Sequence, residues 1–210
     1  LVNNLYKFTL TKKDIIKKYQ ILSEEYIFYP AQYWAHKNHI YILEALNILN
    51  HKYNKKITAV FCGADKNNLG YLKSTAELLN ISEYVKFLDF ANEVDIINLY
   101  KNSFAIVVPT YFGPTNHPPI EGFFYQKPVF YTDVFSDNEQ VRNAVVKIDL
   151  KDPKNLSQSL YDFLENSALL NKQKSKSIEK YANLKQKIAN NEDVFVKIFE
   201  NYKSLRKTYK

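Results

Sequence analysis

The chain has no methionine, one cysteine and four glycines in 210 residues, and each shortage closes off a class of protein. With Cys62 alone there is no internal disulfide and no cysteine cluster for a metal, which points to a reducing, cytoplasmic compartment. No apolar run approaches the roughly 18 residues of a membrane-spanning helix, and no charged-then-apolar leader opens the chain. A first residue of Leu1 with no Met anywhere gives the expectation of a fragment that follows another domain. There is no G-x-S-x-G and no P-loop, and "GADKNNLG" lacks the G-x-G-x-x-G of a dinucleotide fold, so esterase, NTPase and nicotinamide enzyme all lose ground. His36, His39 and His117 lack zinc spacing with an acidic third ligand, so no metal is expected.

The net charge of +7 raises the question of a nucleic-acid partner. From Lys151 onward, however, there are 13 Lys and Arg against 7 Asp and Glu, which leaves the first 150 residues close to balance. A basic tail of this kind reads as a solvated helix face, or as one resting peripherally on an anionic membrane surface, rather than as a nucleic-acid patch.

Short apolar, β-rich runs alternate with longer segments of helical period. The strands are "YIFYP" (26–30), "ITAVFC" (57–62), "VKFLDF" (85–90), "FAIVVP" (104–109), "PVFYTD" (128–133) and "VVKIDL" (145–150). Most are almost continuously apolar, as strands covered on both faces are. Helices are expected over 38–51, 68–80, 93–101, 117–125 and 137–143, with Asn38 facing away from the core. A further helical stretch over 153–208 would break near Asn166 and near Asn190–Asn191. A short basic amphipathic helix, "TKKDIIKKYQIL", leads in. The fold class is therefore α/β, a Rossmann-like parallel six-stranded sheet with helices on both faces plus C-terminal helices. The expected divisions are 1–25, 26–165 and 166–210.

Ligands of such sheets bind beyond the carboxyl ends of the strands, near the switch in strand order. The loop after the fourth strand, "TYFGPTNHPP", is the most informative. Pro118 and Pro119 lack backbone donors and suit a helix's first turn, so the amides of Thr115, Asn116 and His117 would be free for an anion. Glu121, one turn inside, would look toward the same crevice, although an ordinary turn with a surface glutamate reads equally well. Lys37, at the start of the first long helix, would reach a phosphate held there; a lone lysine at such a place is otherwise a solvated one.

In order along the chain, "YPAQYWAHKNHIYILEAL", "FCGAD", "VKFLDF", "NHPPIE" with Pro128-Val129 seven residues on, and "VVKIDLKDP" resemble the donor-binding C-terminal domain of retaining nucleotide-sugar glycosyltransferases of the GT-B fold. The likeness runs from about Tyr26 to Tyr161. It implies a nucleotide-diphosphate sugar as substrate, no metal cofactor, and retaining transfer to an acceptor bound by a preceding domain, against which the C-terminal helices would pack. It also implies roles for single residues. Glu121 would accept hydrogen bonds from the ribose hydroxyls, and Lys37, helped by Gln32, would neutralise the diphosphate. Gly113, Thr115, Asn116 and His117 would hold sugar or phosphate, and the base would lie near Gly63, Asp89 and Phe90. Two positions depart from the family pattern: Gly113 stands where a glutamate is usual, and Gln32 where an arginine is common. They keep open a nucleotide-sugar-binding or scaffolding module without catalysis, beside an epimerase or phosphorylase of the same architecture.

Overall fold

The computed structural model describes residues 10–113 and 117–208, with side chains through Asn190. Its six strands are β1 (Tyr26–Tyr29), β2 (Thr58–Cys62), β3 (Val85–Leu88), β4 (Ala105–Val108), β5 (Val129–Thr132) and β6 (Val146–Ile148). They form one sheet in the order β3-β2-β1-β4-β5-β6, every pair parallel. Each expected strand is present, trimmed at the ends. The inner strands β1, β2, β4 and β5 are buried at every residue, while the edge strands β3 and β6 are partly open. Continuous apolar runs therefore mark the strands with a covered sheet face on both sides.

Among the described residues seven helices accompany the strands: α1 (Lys12–Lys18), α2 (His39–Tyr53), α3 (Leu69–Leu78), α4 (Glu93–Asn102), α5 (His117–Phe124), α6 (Pro153–Glu165) and α7 (Ser167–Thr208). Right-handed crossovers put α2 and α3 on one face and α4 and α5 on the other. The packing agrees, with α2 against α3 and α6, α4 against α1, and α5 against α7. α1 is fastened by its capping box, in which Thr11 and Asp14 bond reciprocally, and by Lys18 Nζ on Asp95 Oδ1 of α4 at 2.6 Å. Among the described residues no helix is long and apolar enough to cross a membrane.

Three local expectations are corrected. The helix over 137–143 is instead a 3-10 turn at Asp133–Phe135 followed by irregular turns. There the Asn138 side chain accepts the Gln140 N–H at 2.9 Å and Asn143 has a φ of 67°, so short polar side chains satisfy the backbone in competition with a helix. The C-terminal helical stretch breaks where expected, between α6 and α7 at Asn166, which donates its N–H to Asp162 O and accepts the Leu169 N–H on its side chain. It then runs through Asn190 and Asn191, because asparagine costs well under about 1 kcal/mol in a helix and cannot stop one alone. Asn38, expected to face away, is 7 % exposed, and its φ of 57° joins a 3-10 turn at Ala35–Lys37 to α2.

Candidate functional site

All six strands point the same way, so their carboxyl ends share one edge, and the strand order reverses between β1 and β4. Chain leaving β1 turns toward β2 and chain leaving β4 turns toward β5, which opens a crevice between them. The loops after β1 and β4 are bonded together across it. The His36 carbonyl accepts the Tyr111 N–H at 2.9 Å and the Thr110 hydroxyl at 3.2 Å. The next residue, Lys37, is half-buried in the turn before α2, and burial lowers its pKa below the usual lysine value. Its carbonyl accepts the Tyr29 hydroxyl at 3.1 Å, which ties the turn to the end of β1.

The loop after β2 closes on the loop after β1. A Cβ added to Gly63 would stand 2.4 Å from the Ala31 carbonyl oxygen, so only glycine permits this approach. The Gly63 N–H bonds to Leu88 O at 2.9 Å and the Tyr33 N–H to Ala64 O at 3.1 Å. The Tyr33 hydroxyl also reaches Leu88 O at 3.0 Å. Loops after β1, β2 and β3 thus form one rigid wall. Asp89 and Phe90 follow on its rim, both exposed, with Phe90 at 86 %.

Gln32 is exposed and its side-chain oxygen accepts the Trp34 indole N–H at 2.9 Å. Its amide thereby orients the single tryptophan of the chain. Gly113 has a φ of 120°, a backbone region that side chains rarely adopt. A residue with a side chain, glutamate included, would be strained at that φ. Thr115 and Asn116 lie outside the described residues. His117 is exposed and begins α5, with Pro118 and Pro119 in its first turn.

Glu121 sits one turn into α5, exposed, and its carboxylate accepts a hydrogen bond from the Tyr100 hydroxyl. Tyr100 is buried on α4, edge-on to Phe28 and stacked on Tyr125. Burial first, and then the Glu121 charge, hold its pKa well above that of a free tyrosine, so it stays a donor. One Glu121 oxygen is thereby tied toward α4. This partner was not found from sequence, since nothing in a one-dimensional reading pairs residue 100 with residue 121.

A parallel six-stranded sheet whose strand order reverses between β1 and β4 defines a doubly wound α/β domain. The model of the glycosyl transferases group 1 family matches residues 11–185, and the chain belongs to that family. It is 23 % identical over 152 residues to the O-antigen chain mannosyltransferase RfbU of Salmonella typhimurium, a match that covers 72 % of this chain and 41 % of that protein. A solved glycosyltransferase from Rickettsia africae superposes with a TM-score of 0.74 at 21 % identity, over 91 % of this chain and 53 % of that one. The Anabaena protein Alr3699/HepE, solved in complex with UDP, gives 0.69 at 16 % identity, over 89 % and 55 %. The chain thus spans about half the length of each of these three relatives.

Proposed function

We propose that this chain is the donor-binding half of a glycosyltransferase that takes a nucleotide-diphosphate sugar and transfers the glycosyl group, with retention, to an acceptor held by the rest of the protein. The observation that carries the reading is the bonded pair of loops at the switch point, in which the carbonyl of His36, one residue before Lys37, holds Thr110 and Tyr111. The structures of Alr3699/HepE with UDP and with UDP-glucose, and the mannosyltransferase activity in the name of RfbU, support a sugar nucleotide as ligand.

The physical logic is charge. Cleaving a glycosyl–diphosphate bond leaves negative charge on the diphosphate. Lys37 and the N-terminal amides of α5 supply fixed positive potential there without solvent reorganisation, so this reading needs no metal. Lys37 holds the diphosphate, helped by Gln32. Glu121 keeps one oxygen for the ribose hydroxyls while the other stays on Tyr100. Gly113 and His117 are assigned to the sugar–phosphate side, Gly63, Asp89 and Phe90 to the base side, and the same sugar–phosphate role is proposed for Thr115 and Asn116, which lie outside the described residues. The expected divisions at 26 and 166 carry over as part of this reading, with the C-terminal helices resting on the acceptor domain.

Thermal unfolding with UDP, GDP, ADP and their sugar derivatives tests it, because a ligand of the folded state raises its stability. At least one nucleoside diphosphate raises Tm, and Lys37→Ala and Glu121→Ala each remove most of that rise. A panel without any shift would refute the reading. Gly113, at a φ of 120° that side chains rarely adopt, favours a second reading, a donor-binding module without catalysis. Full-length protein that binds the nucleotide sugar but neither transfers nor hydrolyses it would select that alternative.

A further inference from the structure

Charge also gathers at a place the crevice does not involve. On α7, Lys176, Lys180, Asn183, Lys187 and Asn190 recur at spacings of three and four, which aligns them on one face. That face borders the irregular segment between β5 and β6, with Lys180 half-buried and the other four exposed. Lys180, Asn183, Lys187 and Asn190 line a cleft of about 350 Å³ against Glu139 and Arg142. An adjoining cavity of about 180 Å³ shares Arg142, Lys180 and Asn183 and adds Lys176 and the carboxylate of Glu179. A helix normally turns apolar residues onto its support, yet the larger cleft has only Leu184 as a large apolar lining residue.

The cations there outnumber their partners. Lys180 Nζ donates to the Glu139 carbonyl at 2.6 Å and the Arg142 carbonyl at 3.1 Å, which fixes the segment to the helix without neutralising charge. Lys187 pairs with the Glu139 carboxylate. Glu139 is the one carboxylate lining the larger cleft, against Arg142, Lys180 and Lys187. Among the described residues no carboxylate lies within ion-pair distance of Arg142. Burial, and then the Lys187 and Arg142 charges, lower the Lys180 pKa, as an under-compensated positive field would.

The cleft is distant from the donor crevice in the fold. α7 is anchored by Ser177 on Lys127 O at 2.8 Å and by Gln173 on Ala144 O at 2.5 Å. Those carbonyls precede β5 and β6, at the amino edge of the sheet.

We propose that this cleft is a second anion site, for a phosphorylated ligand presenting a phosphomonoester or pyrophosphate group. Arg142 gives the bidentate contact that its planar fork suits. Lys187 and Lys180 supply charge, and the amides of Asn183 and Asn190 complete the hydrogen bonds. The larger cleft has the volume of a small-molecule site, which begins near ~300 Å³. The same chemistry comes from a free phosphate ester or from an anionic lipid headgroup, and two arms of one experiment separate these sources.

Lys37→Ala serves as the background in both arms, so that the crevice does not report. In the first arm Tm is read against inorganic pyrophosphate at constant ionic strength. In the second, co-sedimentation is read with phosphatidylcholine vesicles with and without phosphatidic acid. Arg142→Gln keeps the side-chain stem, and Asn183→Asp puts a carboxylate into both cavities at unchanged size. The expected result is a pyrophosphate-dependent rise of about 5 °C at saturating ligand, or vesicle binding that needs phosphatidic acid, reduced at least tenfold in apparent affinity by either variant. A pyrophosphate response lost by both variants assigns the free ligand, and a lost vesicle response assigns the headgroup. The proposal is overturned if neither probe acts in the Lys37→Ala background, or if both variants, folded as judged by circular dichroism, respond like their parent.

Discussion

Replacing His39 with leucine should flatten the acid limb of the protein's stability curve, and the size of the effect follows from the ring's surroundings. His39 is fully buried at the start of α2, with ring centroids 4.8 Å from Tyr29, 5.3 Å from Tyr33 and 5.0 Å from Phe61. Neither ring nitrogen has a well-formed hydrogen bond. Burial pushes its pKa down to about 3, with the Ala31 backbone offsetting a little and the nearby Lys37 charge adding to the fall. The unfolded chain takes up a proton below about 6.5 while the folded chain does not until about 3. The stability tied to neutral His39 is therefore complete above about pH 6.5, falls as pH drops, and levels off near 3. At pH 5 the loss is about 2 kcal/mol, from roughly 1.5 pH units at about 1.4 kcal/mol each. For a chain of this length that is about 4–8 °C in Tm. Leu is close to His in volume and does not titrate, so the Tm difference between native protein and His39→Leu should change by that amount between pH 7.5 and pH 5. Other titrating groups cancel in the difference. A difference constant to within about 1 °C, or an NMR titration of His39 near 6.5 in the folded protein, would refute the reasoning.

Other predictions concern the walls of the crevice. Gly63→Ala drives a Cβ into the Ala31 carbonyl and should cost roughly 3 kcal/mol in urea unfolding, with a weaker nucleotide response as the loops after β1 and β2 separate. Restoring the family's carboxylate by Gly113→Glu puts a side chain at a φ of 120°. It should destabilise by about 1–3 kcal/mol and fail to raise nucleotide affinity; a stable, tighter-binding variant would show that the loop is free to relax. Tyr100→Phe removes the donor to Glu121 and should lower stability by about 1 kcal/mol. Isothermal titration with the best nucleoside diphosphate would show affinity changed at least threefold if the Tyr100 bond orients Glu121, and unchanged if it only packs α4 on α5.

The strands were legible because a doubly covered parallel sheet demands continuous apolar runs, and "TAVFC" and "AIVV" can hardly be anything else at that length. Helix boundaries with chemistry at them were legible too, as at Pro118–Pro119 or the Asp152–Pro153 start of α6. The irregular turns after Asp133 were not. Their sequence has helical spacing, and only local bonds to Asn138 and the left-handed Asn143 defeat it. Lys37, Gly63 and Gly113 lie in the loops after β1, β2 and β4. Gln32, by contrast, spends its oxygen on Trp34, a bond within one loop that composition does not foretell.

The sequence by itself determined the alternation of elements, the parallel sheet and which loops reach its carboxyl edge, because these follow from periodicity, chain length and handedness. Only the tertiary structure decided that His36 joins two loops through one carbonyl, that Tyr100 claims an oxygen of Glu121, that His39 is locked neutral among aromatic rings, and that α7 lays a cationic face over the segment before β6. Each of these depends on residues far apart in the chain meeting at hydrogen-bond or van der Waals distance, and such meetings are fixed by packing of the whole domain rather than by any local run of residues.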